Sequence, residues 1–157
     1  MPTKPAAAPA NTTAPVIDEK YACFKMRIAP SKIHRWGIYA VDAIPPNRKV
    51  IEYTGEMISR RETKRRADSN DLIYLFTVDS YWAKDGSVGG SGAEYINHCC
   101  EPNIRTVIIK GHILYMSMKL ILPGEELTVD YRFDKKCETV ICKCGVPACR
   151  GTINLKE

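Results

Sequence analysis

Three cysteines fall within eight residues near the end of the chain, and this cluster constrains the fold more than any other feature. Cys142, Cys144 and Cys149 form a C-x-C-x4-C pattern around a glycine and a proline. Three thiolates on such a turn can point at one centre, and zinc prefers four ligands of this kind at about 2.3 Å. The candidates for a distant fourth ligand are Cys23, Cys99, Cys100, Cys137 and His98. The alternative is a set of idle reduced cysteines, which would be prone to oxidation.

The length and composition exclude several other classes of protein. The 157 residues suffice for one domain with a core, and 45% apolar with 26% charged residues is ordinary globular composition. Seven cysteines are an odd number, and residues 1–15 show no apolar signal core, so we expect no disulfide framework. Apolar stretches last only a few residues, so we expect no membrane span and no membrane partner.

Short apolar runs separated by Pro and Gly predict a mainly β protein with few short helices. We expect a flexible tail over residues 1–20, a β-rich body over 21–134 and a cysteine-rich flap over 135–157. Gly111 is expected to form the turn between the last two predicted strands. The strand-like runs are 24–28, 37–40, 49–53, 72–78, 106–110 and 112–116.

One helix is predicted where Ser59 and Glu62 form a capping box. Five basic residues follow within this segment, and they have two readings. They form either a solvated helix face or a patch for an acidic partner, such as a nucleosome-like polyanion. The basic residues are Arg60, Arg61, Lys64, Arg65 and Arg66.

Two further segments carry polar groups suited to chemistry. In the segment YINHCCEPN, Asn97 and His98 form either a polar pair at a strand end or, with Cys99, part of a cysteine nucleophile site. No orienting acid or oxyanion hole lies at an identifiable spacing, which argues against the nucleophile. In the segment GEELTVDY, Tyr131 ends a short predicted strand, where a tyrosine is usually core with a bonded hydroxyl.

Taken together and in order, these motifs resemble the SET-domain protein lysine methyltransferases, most closely the Trithorax-like and Enhancer-of-zeste-like ones. The resemblance covers residues 21–151. It implies a SET-domain fold of short sheets with a pseudoknot, in which the segment ending in Tyr131 threads beneath a loop. It also implies a SET domain over 21–134 and a zinc-bound post-SET flap over 135–157. The motifs are RWGIYA (35–40), EYTGE (52–56), YLFTVD (74–79), INHCCEPN (96–103), GEELTVDY (124–131) and CKCGVPAC (142–149).

The resemblance also implies cofactors and site residues. S-adenosylmethionine would be the methyl donor, and one structural zinc ion would tie the flap to the body. Tyr131 takes the position of the catalytic tyrosine, and Tyr74 lines the lysine channel. The positions that would bind the methyl donor are Arg35, Trp36 and Gly37 through backbone groups, Tyr53 near the pocket, Asn97 through its amide and His98 through its backbone. The zinc ligands would be Cys100, Cys142, Cys144 and Cys149.

The implied function is methylation of a lysine in a protein, with a histone or histone-like tail as the expected partner. The expected location is intracellular: the nucleus and chromatin in a eukaryote, and the cytoplasm or a secreted effector in a bacterium. The chain departs from the usual family residues at five positions. These are Arg35 (often Gly), Ser91 (usually Asn), Glu94 (often Arg), Cys99 (usually Ser) and Val129 (commonly Phe or Tyr).

Two alternatives stay open, and the departures at Arg35, Ser91, Glu94 and Val129 support the first of them. One is a catalytically degenerate SET domain that only binds a peptide or nucleosome. The other is a small zinc module that binds nucleic acid directly through the basic helix. A net charge of +5 is below the level that would by itself indicate a nucleic-acid binder.

Overall fold

The computed structural model describes residues 15–69 and 74–156, and these residues form a mainly β fold with one α-helix, as predicted. The predicted residues Leu72 and Ile73 and most of the predicted tail lie outside this part. The strands are β1 (Met26–Pro30), β2 (Trp36–Ala40), β3 (Lys49–Tyr53), β4 (Glu56–Ser59), β5 (Leu75–Thr77), β6 (Trp82–Asp85), β7 (Asn97–His98), β8 (Ile104–Ile109), β9 (His112–Ser117) and β10 (Thr128–Val129). The helix is α1 (Arg60–Ser69), and short 3-10 helices cover Glu19–Tyr21 and Ala93–Tyr95.

The strands are divided among three small sheets. β1 and β2 form a hairpin, β4, β6 and β5 form a three-stranded sheet, and the largest sheet has the order β3-β9-β8-β10-β7. The turn predicted at Gly111 joins β8 to β9, where Lys110 and Gly111 have φ of 49° and 79°. Two left-handed residues are what a tight hairpin turn requires, and the second is a glycine.

Each predicted run overlaps a strand, and the differences lie at strand ends and in three missed strands. The first run is shifted because its pairing with β2 extends from Met26 to Pro30. β4, β6 and β7 were missed because they are short and carry polar residues, so their identity as strands comes from pairing within the sheet. The residues of the predicted tail that are described, 15–20, run along the body, where the Asp18 amide donates to the Ser91 carbonyl. The domain boundaries stay predictions.

The late strand β10 lies between the earlier strands β7 and β8 and runs parallel to both. Only residues 99–103 join β7 to β8, so this loop has to pass across the inserted segment. Asn103 fastens the crossing: its Nδ2 donates to the Glu126 carbonyl at 2.9 Å, and its Oδ1 accepts from the Thr128 amide at 2.8 Å. This is the threaded arrangement that the resemblance implied.

The core consists mainly of isoleucine side chains from the largest sheet and β2. The two tyrosines Tyr53 and Tyr115 complete it on the side of the three-stranded sheet, packed against Phe76. The completely buried members of this core are Ile38, Ile44, Val50, Ile51, Ile104, Ile113, Ile121 and Leu127.

None of the helices in residues 15–69 and 74–156 has the length and apolar character that crossing a membrane would require.

We expect Asn103→Ala to lower the free energy of unfolding by about 2–3 kcal/mol, because it leaves a buried amide and a buried carbonyl of the inserted segment without partners. Urea denaturation followed by circular dichroism measures this change. The matched control is Glu101→Ala, an exposed position in the same loop, which should stay within about 0.5 kcal/mol of the original chain. Equal stability of the two variants would show that Asn103 does not fasten the crossing.

Candidate functional site

A cavity of about 680 Å³ opens where the loop before β2, the 3-10 helix at 93–95, β7 and the segment after β10 meet. This volume is in the range of small-molecule sites. Most of the residues that the sequence singled out lie on its wall. They are Arg35, Trp36, Tyr53, Tyr74, Asn97, His98 and Tyr131.

The side-chain amide of Asn97 ties three segments together at the cavity wall. Its Nδ2 lies within hydrogen-bonding distance of the His34 carbonyl at 3.1 Å, the Trp36 carbonyl at 2.8 Å and Glu126 Oε1 at 3.0 Å. Asn97 itself is buried in β7. The loop that carries Arg35 is therefore held against β7 by one side chain.

Gly37 is the one predicted cofactor residue that is not on the cavity wall. A Cβ at this position would lie 2.3 Å from Glu126 Oε1, so the glycine makes room for that carboxylate. Glu126 was missed by the sequence analysis, although it accepts from Ser31 Oγ at 2.8 Å as well as from Asn97. The only signal for it was its place beside a predicted strand in the GEELTVDY motif.

Arg35 adopts an unusual backbone conformation and brings a positive charge to the cavity. Its φ is 42°, in the left-handed region that glycine adopts readily, which explains why the family often has Gly here. Its Nη1 is buried with no hydrogen-bond partner among the described residues. Burial lowers the pKa of His34, and the charges of Arg35 and Lys143 lower it further. The lowered pKa leaves the His34 ring neutral at pH 7, so Arg35 and Lys143 form the cationic corner of the cavity. The unpaired guanidinium nitrogen of Arg35 fits an anionic group of a ligand.

Tyr131 is held at both its backbone and its hydroxyl. The backbone amide donates to His98 Nδ1 at 3.0 Å, and the hydroxyl donates to the Ile96 carbonyl at 2.6 Å. Burial raises the pKa of Tyr131 well above that of free tyrosine. The phenol therefore stays protonated at neutral pH and is not a general base.

Three tyrosines, Tyr53, Tyr74 and Tyr95, form a row on the cavity wall. The Tyr74 and Tyr95 rings pack edge to face with centroids 5.4 Å apart, and the Tyr53 hydroxyl donates to the Tyr74 carbonyl. Burial raises the pKa of Tyr74 to about 12. The tyrosine side chains themselves are uncharged, and burial beside their rings disfavours a charged amine. Glu94 also lies on this wall.

Four cysteines bring their sulfurs together beside the cavity, and the fourth member is Cys100 rather than the other candidates. The four Sγ atoms lie within 4.8 Å of one another, with Cys100 Sγ 3.7 Å from Cys142 Sγ and 4.0 Å from Cys149 Sγ. Tetrahedral ligands at 2.3 Å from zinc would be about 3.8 Å apart. The members are Cys100, Cys142, Cys144 and Cys149.

The surroundings of this cluster also suit thiolate ligands. Backbone amides of Arg150, Cys144 and Gly151 donate to three of the sulfurs at 3.3–3.4 Å. Such donors stabilise negative sulfur and orient it. His98 is not a member of the cluster, although its Nε2 lies 3.4 Å from Cys100 Sγ. The four-sulfur set is closed, with no position left for a reacting molecule, which is the pattern of a structural zinc site.

Three basic residues of α1 are engaged within the molecule. Arg66 pairs with Glu56, Glu62 and Asp85 at 2.7–2.9 Å, and Arg65 pairs with Glu62 at 2.5 Å. Arg60 donates to Thr77 Oγ1 at 2.5 Å. These contacts support the interpretation of this part of the helix as a solvated, internally paired face.

Comparison with known proteins finds the same family along most of the chain. A family model described as SET domain matches residues 35–132. Similar proteins include a "Histone-lysine N-methyltransferase, H3 lysine-4 specific" from Yarrowia lipolytica, 37% identical over 140 residues and covering 82% of this chain but 12% of that protein. The Saccharomyces cerevisiae protein of the same description is 38% identical over 138 residues, covering 80% of this chain and 13% of that protein. "Histone-lysine N-methyltransferase trithorax" from Drosophila melanogaster is 39% identical over 132 residues, or 79% of this chain and 4% of its own. This chain spans about an eighth of the length of the first two relatives.

Purified protein is expected to hold one zinc ion per chain, and Cys149→Ser should lose it, because three remaining sulfurs close a tetrahedral site poorly. Elemental analysis after gel filtration measures the metal content. Cys23→Ser is the matched control, since Cys23 is exposed and outside the cluster. Full metal retention in Cys149→Ser would rule out this ligand set.

Proposed function

The chain belongs to the SET-domain family, and from this premise we propose that it is an S-adenosylmethionine-dependent protein lysine N-methyltransferase that acts on a histone tail. The observation that supports this most is the convergence of Asn97, His98 and Tyr131 on one cavity with an aromatic wall. Because the relatives' names specify histone H3 lysine 4, we propose histone H3 as the substrate to test first.

The loop before β2 and strand β7 would hold the methyl donor. Bound there, S-adenosylmethionine supplies a methyl group on a positively charged sulfur for in-line displacement by a neutral amine. The backbone of Trp36, the amide of Asn97 and the backbone of His98 would bind it, as the resemblance implies. The cationic corner at Arg35 would receive its carboxylate, since that corner has a buried donor in need of an acceptor.

The substrate lysine has to lose its proton before it can attack. A free lysine has a pKa of about 10.4, so only about one in a few thousand is neutral at pH 7. The packed Tyr74 and Tyr95 rings would desolvate an amine that lies beside them, and desolvation lowers a lysine pKa. The proton would leave to water, since the nearby phenols are themselves protonated at this pH.

Tyr131 would orient the amine and shape the field around the methyl group. Its hydroxyl hydrogen is already donated to the Ile96 carbonyl, so its oxygen presents lone pairs to the cavity. Backbone carbonyls at this end of the cavity would add weak C–H···O contacts to the methyl group. Alignment is the main contribution expected of such a site.

Zinc would have a structural role. The flap that carries three of the four sulfurs also contributes to the cavity wall, through Val140, Ile141 and Lys143 among others. Metal binding would therefore complete the binding site without taking part in the reaction. In a eukaryote, a histone methyltransferase of this kind would work on chromatin in the nucleus.

The alternative of a degenerate binding module rests on the positions where this chain departs from the usual family residues. At two of these positions, 91 and 94, the side chain fits its surroundings. Ser91 Oγ is buried and donates to the Glu52 carbonyl at 2.6 Å. Glu94 Oε2 accepts from the Gly92 amide at 2.9 Å. Both side chains are satisfied locally without displacing Asn97 or Tyr131, which favours an active enzyme.

Incubation with histone H3 and labelled S-adenosylmethionine should transfer label to a lysine and release S-adenosylhomocysteine. Tyr131→Phe should lower turnover about 100-fold because the amine is no longer aligned, while the Kd for S-adenosylhomocysteine stays within about threefold. Tyr81→Phe is the control, since Tyr81 is exposed and not on the cavity wall. Binding of an H3 peptide without any product would favour the degenerate module instead. Unchanged turnover in Tyr131→Phe would remove Tyr131 from the mechanism.

Val129 should permit more than one methyl group per lysine. It is a buried residue of β10 on the cavity wall, and it is smaller than the Phe or Tyr common there. Intact-mass analysis of a saturated reaction should therefore show additions beyond the first, and Val129→Tyr should shift the product toward a single addition. Val129→Ala is the control and should retain multiple additions. Only a single addition by the original chain would refute this role.

A further inference from the structure

Arg150 links the cysteine-rich flap to the segment that carries Tyr131. It follows Cys149 directly, and its guanidinium donates to both oxygens of Asp130, from Nη1 at 2.8 Å and from Nη2 at 3.0 Å. Nη2 also donates to the Ile153 carbonyl at 2.8 Å. The Arg150 and Asp130 side chains are only 21% and 22% exposed, so this two-point pair is better shielded than a surface ion pair.

Asp130 also stabilises the backbone turn that contains Tyr131. Its Oδ1 accepts from the Arg132 amide at 3.0 Å, across Tyr131. Arg132 has a φ of 51°, in the left-handed region that is strained for a non-glycine residue. Burial alone would raise the pKa of Asp130, but hydrogen bonds from Arg150 and Arg132 hold it below its usual value. The charged Asp130 carboxylate therefore stabilises the strained turn of residues 130–132, which has Tyr131 at its centre.

A second connection runs through His98. Its Nδ1 accepts the Tyr131 amide, so the proton of the neutral ring lies on Nε2, which faces Cys100 Sγ at 3.4 Å. The Arg150 backbone amide donates to the same sulfur at 3.4 Å. Arg150 therefore contacts the four-cysteine cluster through its backbone and the Tyr131 turn through its side chain.

We propose that Arg150 is a positioning residue that couples the docked, metal-bound flap to Tyr131 through Asp130. The proposal rests on the function proposed above, since it concerns the alignment of Tyr131. The proposal goes beyond the metal site, because binding of the metal by the four cysteines does not by itself align Tyr131. The Arg150 guanidinium must also bind Asp130. A flap that keeps its four sulfurs but lacks this side chain should leave Tyr131 misaligned.

The first test compares Arg150→Met with Arg150→Lys. Arg150→Met leaves all four cysteines in place and should keep its zinc by elemental analysis. Its kcat with histone H3 should fall about 10- to 100-fold, the effect of misplacing a reacting group by about 1 Å, while the KM for S-adenosylmethionine changes less than threefold. Arg150→Lys restores one charged donor and should recover part of the kcat. Arg65→Met is the matched control, because Arg65 is exposed on α1 and away from the cavity, and it should behave as the original chain.

A readout independent of activity is amide hydrogen exchange in a peptide spanning residues 127–133. This exchange should be faster in zinc-bound Arg150→Met than in the original chain, because the turn around Tyr131 is no longer held. If the original chain does not methylate any histone, the enzyme proposal fails while the exchange result still decides whether Arg150 holds this turn. Unchanged exchange and unchanged kcat in Arg150→Met would overturn the coupling.

Asp130→Asn provides the decisive second variant if Arg150→Met folds poorly or loses its metal. It touches no cysteine, nearly keeps the side-chain shape and removes the charge that Arg150 binds. We expect zinc retention, a reduced kcat and faster exchange. A double variant that combines Arg150→Met and Asp130→Asn should lose no more kcat than the more affected single variant, since the two changes break the same connection. Normal kcat in Asp130→Asn, loss of its zinc, or additive effects in the double variant would each contradict the proposal.

Discussion

The insertion of β10 between β7 and β8 is the constraint on which the site depends. β10 pairs in parallel with β7 through two residues and with β8 through one, which is too short to be stable alone. Asn103, from the loop that crosses β10, fastens it. The insertion places Tyr131 beside His98, 33 positions earlier in the chain. Without it, Asn97 and Tyr131 would not share a cavity.

The same insertion explains why Glu126 and Gly37 matter although neither is a predicted reacting group. Glu126 lies just before β10 and reaches back to Asn97 and to Ser31 on the loop before β2. Only a glycine at position 37 allows that approach. One carboxylate therefore fixes the loop before β2 relative to the inserted strand, so this loop and the Tyr131 segment are positioned together.

The sequence predicted the features that come from local pattern, and it missed those that come from pairing across the chain. Hydrophobic alternation and turn residues predicted most of the strands and the Gly111 turn, and ligand spacing predicted the cysteine cluster. From spacing alone the fourth ligand had five candidates, because a distant ligand is chosen by the fold. Family resemblance pointed to Cys100, and the structure agrees. Glu126 had only the weak signal of its place in the GEELTVDY motif, and Arg150 had none, since an isolated Glu or Arg looks the same whether it is exposed or bridges two segments. The paired state of Arg66 was hidden for the same reason, because Glu56 and Asp85 meet it only after β4 and β6 pair.

The inserted segment is held at two places that are chemically different. Upstream, Asn103 uses neutral hydrogen bonds to the backbone of residues 126 and 128. Downstream, Arg150 uses a charged pair with Asp130, and Arg150 belongs to the flap that the cysteines hold. β10 cannot shift its register by one residue without breaking both the Asn103 and the Arg150 connections, because Asn103 and Arg150 are themselves anchored outside the strand. The position of Tyr131 therefore depends on the body of the fold through Asn103 and on the flap through Arg150. Because Asp130 directly precedes Tyr131, a change in the docking of the flap reaches Tyr131 through these two adjacent residues.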